Sequence, residues 1–240
     1  MSNKSTIEWT DATWNPITGC NPCSIGCDNC YAERLAKRLK AMGNPRYTQG
    51  FNVVCHDDLV DLPLKWKKPK MIFVNSMSDI FHEDVPDDFI LRLFETMRKA
   101  HWHTFQVLTK RPKRLATLQS ILKWAPNIWF GVTIESQEYI SRAEWLKKSG
   151  AHIKFISFEP LLTEIVDFSI KGIDWIIVGG ESGPHSRPIQ VEWVRSLKQL
   201  AIKYHTPFFF KQWGGKNKKK TGILLDGEVW NQFPHPVDLL

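Results

Sequence analysis

The sequence predicts an α/β protein, a parallel sheet covered by helices, and three observations carry that prediction. Short apolar runs alternate with amphipathic segments of helical period from Met71 to Phe210. Residue type changes abruptly from apolar to polar at the C-terminal end of run after run. Four of the five cysteines fall in residues 18–32, between the first extended segment and the first helical one. At 240 residues and 42% hydrophobic composition, the chain is long enough for one large domain with a full core.

Taken in order, residues 5–19 are a short extended segment with Ile7 and Trp9, followed by a turn at Trp14-Asn-Pro16. Two glycines and a proline let the cysteine stretch turn tightly, so several sulfurs can face one centre. A helical run from about Asp28 sets the last thiolates near a helix N-terminus, where unsatisfied N–H groups and the dipole favour negative charge. Residues 32–42 predict a helix with Leu35 and Leu39 on one side and Arg34, Lys37, Arg38 and Lys40 on others, ended by Gly43-Asn-Pro45. Residues 46–69 are irregular.

The regular rhythm follows. Strands are expected at 71–74, 105–108, 128–134, 153–156, 175–178 and 207–210, from their short apolar runs. Helices are expected at 86–99, with Phe89, Leu93, Phe94 and Met97 inward, and at 112–123, 137–149 and 191–204. Right-handed crossovers would make either a closed or partial barrel or an open doubly wound sheet, and the rhythm leaves both open. Residues 1–215 carry this pattern. Residues 216–240 break it with a charged turn at 216–220 and a hairpin signal at Asp226-Gly227, a small extension packed on the same domain.

The formal charge of +7 suits a polyanionic partner and suits a solvated basic surface equally well. The N-terminus, Met1-Ser-Asn-Lys-Ser5, is polar, with no signal region and no apolar run long enough to span a bilayer. A cytoplasmic protein with no membrane partner is expected. In a reducing cytosol, clustered cysteines point to metal binding rather than disulfides. The eleven tryptophans are expected to pack the core or line the mouth of a site.

The polar strand ends read Asn75-Ser-Met-Ser-Asp79, Thr109-Lys-Arg111, Thr133-Ile-Glu135, Ser157-Phe-Glu159, Gly179-Gly-Glu-Ser-Gly183 and Lys211-Gln-Trp213. In a parallel fold these ends share one face, and that face carries the chemistry. The cysteine loop should sit on the same rim. Ser136 or Asp79 can serve simply as a cap, but three glutamates with Lys110 and Lys211 exceed what capping uses.

Cys23-x3-Cys27-x2-Cys30 is a spacing seen in radical S-adenosylmethionine enzymes. There, three thiolates hold a four-iron cluster and the fourth iron takes the amino and carboxylate groups of S-adenosylmethionine. The motifs Trp14-Asn-Pro-x2-Gly-Cys20, Gly26-Cys27-x2-Cys30-Tyr31-Ala32, Phe73-Val-Asn-Ser-Met-Ser-Asp-Ile-Phe81, Leu108-Thr-Lys-Arg111, Gly131-Val-Thr-Ile-Glu135, Ser157-x-Glu-Pro-Leu161 and Val178-Gly-Gly-Glu-Ser-Gly183 together resemble the phage-encoded three-Cys-motif radical-SAM-like family, from about Ile7 to Gly215. The Asp79 and Thr109-Lys110 segments are more distantly similar to those of spore photoproduct lyase.

The resemblance implies a partial (βα)6 barrel of TIM-like type, a [4Fe-4S] cluster and S-adenosylmethionine at its mouth, cleaved to a 5′-deoxyadenosyl radical. In that family the three cysteines correspond to Cys20, Cys27 and Cys30. Here Cys23 restores the shorter spacing, so the metal candidates are Cys20, Cys23, Cys27 and Cys30, with Cys20 and Cys23 competing for the third place. Four thiolates would allow a closed cluster or a Zn²⁺ tetrahedron, although the compact spacing is awkward for zinc. Cys55, beside His56, is expected to be a packed thiol.

Two departures from the pattern stand out. Asn29 replaces the usual aromatic before the third cysteine, and the usual Gly-Gly-Glu after the second strand is missing. Asn75-Ser-Met-Ser78 and Asp79 occupy that place, and Ser76, Ser78 or Asp79 is expected to meet the aminoacyl end of the cofactor. Lys110 is expected on its carboxylate, Thr133 and Glu135 on its ribose, and Glu159 and Glu181 on cofactor or substrate. Two functions remain open: a radical enzyme acting on a nucleotide or nucleic-acid base, or an Fe–S- or zinc-stabilised nucleic-acid-binding protein without turnover. A separate partner protein that completes the site is compatible with either.

Overall fold

Seven strands form one sheet in chain order with every neighbouring pair parallel: β1 (Ala12–Trp14), β2 (Met71–Val74), β3 (Thr104–Thr109), β4 (Ile128–Thr133), β5 (Lys154–Phe158), β6 (Trp175–Gly179) and β7 (Phe208–Gln212). The structure, a computed structural model, describes Ser5 and residues 7–234. The polar N-terminal residues 1–4 and residues 235–240 of the expected extension lie outside the described residues.

A strand order that follows the chain requires each crossover to return on the same side. Helices α1 (Tyr31–Ala41), α2 (Asp87–Lys99), α3 (Pro112–Leu118), α4 (Arg142–Lys147) and α5 (Val191–Lys203) lie in five of the six connections, and residues 159–174 join β5 to β6 without a helix. One face of the strands, with Ile72, Val107, Phe130, Ile156, Val178 and Phe210, packs against Leu93, Leu115, Leu146 and Leu197 of α2 to α5. The opposite face carries a separate aromatic cluster of Trp9, Phe73, Trp129, Phe155, Trp175 and Phe209.

The sheet curls around that second cluster. The Trp9 ring lies 4.7 Å from Phe73 in β2 and 6.1 Å from Trp175 in β6. Strands four places apart in a flat sheet would stand about 19 Å from each other, so one indole can touch both only across a concave half-barrel. Gly131 in β4 makes room for the filling, since a Cβ there would lie 2.5 Å from the Phe155 ring.

Several expected bounds shift. The first helix begins at Tyr31, not near Asp28, because Ile25–Cys27 form a 3-10 turn and Cys30 is the N-cap. Its buried residues are Ala32 and Ala36, small enough for close approach to Tyr47 and Met77, while Leu35 is exposed. α3 ends at Leu118, short of the expected 123. The expected helix 137–149 is divided into a 3-10 turn, Gln137–Tyr139, and α4.

Lys218–Thr221 is a single helical turn, and Leu224–Leu225 pairs antiparallel with Glu228–Val229 around Asp226 and Gly227, both at positive φ. Asp226 accepts Arg195 and Lys198 of α5, and Trp175 Nε1 donates to Gln232 O. No helix among the described residues is long and apolar enough to cross a membrane.

Candidate functional site

The concave face changes from aromatic to polar toward the C-terminal ends of the strands. Above Phe73, Phe155 and Phe209 the next positions on that face are Asn75, Ser157 and Lys211, and a cavity of about 460 Å³ opens there. A separate cavity of about 360 Å³ lies by Pro45, Arg46 and His56 and contains none of the strand-end residues.

The cysteine loop covers one side of the larger cavity. Gly19 launches it at φ +89°, its N–H donating to Met77 O, and a Cβ there would lie 2.0 Å from Asn52 O, so only glycine fits the passage. Cys20, Cys27 and Cys30 line the cavity; Cys23 is exposed and stands outside it. Arg111 Nη1 lies 3.5 Å from both Cys20 Sγ and Cys23 Sγ, while the same guanidinium binds Asn21 and Glu83.

The thiols are electrostatically unequal. Contact with Cys23, with Lys110 and Ser24 nearby, holds Cys27 down to about 5 against the effect of burial. The same contact, then burial, pushes Cys23 up. Burial and Asp79 push Cys20 up to about 11 despite Arg111.

Two buried carboxylates from different strand ends grip this loop. Glu135, after β4, is fully buried: it accepts Ser24 Oγ at 2.6 Å and Arg142 at 2.6 Å, and Lys110 Nζ stands 3.2 Å away. Burial alone would raise its pKa, but Lys110 and Arg142 more than offset this and hold it low. Burial likewise opposes the Lys110 charge, and Glu135 and Cys27 keep that ammonium above its ordinary value. Gly26 lies against Glu135 so closely that a Cβ would be 2.5 Å from its Cγ.

Glu181, after β6, accepts Asn29 Nδ2 at 3.0 Å and three donors of Arg187 at 2.6–3.0 Å. Arg187 also donates to Asp28 Oδ2 at 3.0 Å and Ile25 O at 2.8 Å, strapping the loop to the sheet. Burial would raise the Glu181 pKa, and the hydrogen bonds from Arg187 and Asn29 lower it instead.

The other expected residues gather as follows. Ser76, Ser78, Asp79, Lys110, Thr133, Glu159 and Glu181 share the cavity wall with the three thiols, and Glu135 lies behind it. Ser76 Oγ donates to Asn15 Oδ1 and Ser78 Oγ to Ile17 O. Asp79 accepts Thr109 Oγ1 at 2.7 Å and the N–H groups of Phe81 and Lys110. Glu159 meets Lys211 at 3.0 Å. Cys55 packs against the core cluster.

Arg142 and Arg187 carry no sequence signal, and Asn75 and Gln212 stand in polar strand ends without an assigned role. Arg187 follows Glu181 by six residues and carries no motif of its own. Asn75 at φ +59° and Gln212 are both buried on the cavity wall, and among the described residues Asn75 Nδ2 and Gln212 Oε1 have no hydrogen-bond partner. Also among the described residues, no three or more His, Cys, Asp or Glu side chains are arranged as ligands of a metal ion.

A search of solved structures finds spore photoproduct lyase complexed with dinucleoside spore photoproduct as similar, at TM-score 0.45 and 13% identity, covering 78% of this chain and 59% of that one. The chain therefore spans less than two thirds of the length of that lyase chain. No curated protein matches. The family model described as "Protein of unknown function (DUF5131)" matches residues 4–234, nearly the whole sequence, and the chain belongs to that family.

Proposed function

We propose that the chain is a radical S-adenosylmethionine enzyme of partial (βα)6-barrel type, with a [4Fe-4S] cluster on Cys20, Cys27 and Cys30 and a nucleotide or nucleic-acid base as substrate. The observation that carries this reading is the gathering of Cys20, Cys27 and Cys30 on one cavity wall with the polar strand ends. Cys23 is exposed and in contact with Cys27.

The donor set fits the group. Thiolates are the soft ligands that iron–sulfur clusters use. Lys110 and Arg111 supply positive charge beside them, which offsets the negative charge that three thiolates gather. The sequence resemblance supports the same three cysteines. Held by Cys20, Cys27 and Cys30, such a cluster would supply the one-electron chemistry that reductive cleavage of S-adenosylmethionine requires.

The chain's own residues bind and orient. Asp79, fixed by Thr109 and two backbone N–H groups, presents a carboxylate for the cofactor ammonium, with the Ser76 and Ser78 hydroxyls on the same wall. Lys110, kept charged, takes the cofactor carboxylate, and Thr133 faces the ribose. Glu135 and Glu181 serve by holding the cysteine loop, and Glu159 is left for the substrate. Free thiols of this kind suit a reducing cytosol.

Anaerobic reconstitution with iron, sulfide, reductant and S-adenosylmethionine tests the reading. Formation of 5′-deoxyadenosine is expected, with iron binding lost in C20A, C27A and C30A and kept in C23A. A fully loaded cluster that yields no 5′-deoxyadenosine overturns the enzyme. Stoichiometric zinc without iron favours a nucleic-acid-binding protein in its place.

A further inference from the structure

Helix α1 buries only Ala32 and Ala36, whereas α2 buries Phe89, Ile90, Leu93, Phe94, Thr96 and Met97. Tyr31, Arg34, Leu35 and Arg38 are exposed and, three or four residues apart, share one face of α1. That face meets the mouth of the larger cavity. Tyr31 lines the cavity while 53% exposed, and its hydroxyl donates to Ser76 O, which fixes the ring there. Arg34 Nη2 reaches Ser182 O at 3.1 Å over Gly183, where a Cβ would stand 2.5 Å from the same nitrogen.

The cations on this side of the mouth have no counter-charge. Among the described residues Arg34, Arg38 and Lys216, all exposed, form no ion pair. Lys216 continues the line from Arg34: it follows Gly215, whose N–H donates to Glu181 O and whose carbonyl accepts from Gly183. The carboxylates along this segment are already engaged, Glu33 by Lys37 at 2.6 Å and Asp28 by Arg187 at 3.0 Å. By contrast Lys110, Lys211 and Arg187 each meet a glutamate at 2.6–3.2 Å. The other side of the cysteine loop is acidic, with exposed Glu83 and Asp84 beyond Asn21.

We propose that this face is a track for single-stranded nucleic acid, whose phosphates follow Arg38, Arg34 and Lys216 while one base stacks on the Tyr31 ring at the cavity mouth. A row of unpaired cations matches a row of anions, which a phosphate backbone supplies and a free nucleotide does not. Arg34 and Arg38 stand about 6 Å apart along the helix, close to the step between successive phosphates of an extended strand. A fixed aromatic ring beside those cations is the combination that strand-binding surfaces use. An acidic peptide would match the charge and leave the ring idle.

That the strand carries the substrate base rests on the enzyme reading; the binding does not. Fluorescence anisotropy of the full, cluster-free chain with a labelled oligothymidylate of about fifteen nucleotides tests it, with salt varied from about 50 to 200 mM. Binding should weaken as salt rises. R34Q/R38Q removes two phosphate contacts, so the slope of log affinity against log salt should shrink by about 1.4, and affinity should fall about 25-fold at about 0.1 M salt. Y31A should weaken binding at least about fivefold with the slope unchanged, and Y31F, which keeps the ring, should bind as wild type does. K67Q/K68Q removes the same charge just before β2, at the opposite end of the sheet, and should leave the slope unchanged.

Equal losses in R34Q/R38Q and K67Q/K68Q would reduce the effect to net charge and overturn the track, as would no binding of the oligonucleotide. Polyglutamate of similar length that binds as tightly would assign the face to an acidic protein, and a duplex that binds as tightly would remove the stacked base; either overturns the track. Both comparisons use the wild-type chain, so they stand even if a variant fails to fold. Strand binding at this face without S-adenosylmethionine cleavage would overturn the enzyme reading and leave the track intact; cleavage without strand binding would do the reverse.

Discussion

The lower and upper halves of the concave face use the same strands for opposite purposes. In the lower half Trp9, Phe73, Trp129 and Phe209 join Trp175 in a chain of edge-to-face contacts, with Phe155 tilted against Trp175. Two residues farther along several strands, the positions hold Asn75, Ser157 and Lys211, and Glu135, Glu159 and Glu181 follow at the rim. The pleat is the same; the covering differs. Below, ring packs on ring. Above, a polar loop lies over the sheet and every buried carboxylate needs a cation. The difference teaches that the floor is a device for stability and the rim a device for position.

The largest test of that division is in the floor. Trp175→Ala should cost about 3–5 kcal/mol, lowering the thermal midpoint by about 6–20 °C. A midpoint within about 2 °C of wild type would mean that the aromatic filling does not stabilise the half-barrel.

At the rim, Arg187→Met should cost less, about 1–3 kcal/mol, because its half-exposed guanidinium leaves one buried carboxylate short of partners. Its signature should be local. Amide exchange in residues 20–30 should accelerate while β3 to β6 stay protected. Uniform acceleration through the strands would erase the distinction between floor and rim.

Acid should sharpen the same contrast. Folding holds the Glu181 carboxyl below its ordinary range, so its contribution is full above the unfolded value of about 4.3 and is lost as pH falls through the lower folded value. The stability gap between wild type and E181Q, measured by urea unfolding, should be widest near neutral pH and close as pH drops below about 4.3. A gap that persists unchanged in acid would remove Glu181 as an ionised clamp.

The smallest effect belongs to the outer surface. Lys37→Ala breaks an exposed i,i+4 pair with Glu33 and should change stability by no more than about 0.5 kcal/mol. A larger loss in the unfolding curve would show that α1 depends on its outer face as well as on Ala32 and Ala36.

Much of this was legible in advance. The apolar runs at 71–74 and 175–178 locate strands almost residue for residue, because a strand buried on both faces needs continuous apolar side chains. The rim residues were legible as polar ends of those runs. Their roles were not. Glu135 and Glu181 look alike in sequence to Glu159, yet two hold the loop and one faces Lys211, because a carboxylate's task depends on which cation arrives beside it. The buried side of α1 was hidden for a similar reason: helical period gives a face, and the short side chains of Ala32 and Ala36 are the ones that pack against Tyr47 and Met77.

The sequence by itself determined the alternation of strand and helix, the shared rim of polar strand ends, and the cysteine cluster, since each depends on local pattern and chain order. Tertiary structure alone decided the curl of the sheet, the placing of Cys20, Cys27 and Cys30 on the cavity wall, and the pairing of Glu135 with Arg142, Glu181 with Arg187 and Glu159 with Lys211. Those depend on distances between segments far apart in the chain, and periodicity within one segment carries no information about them.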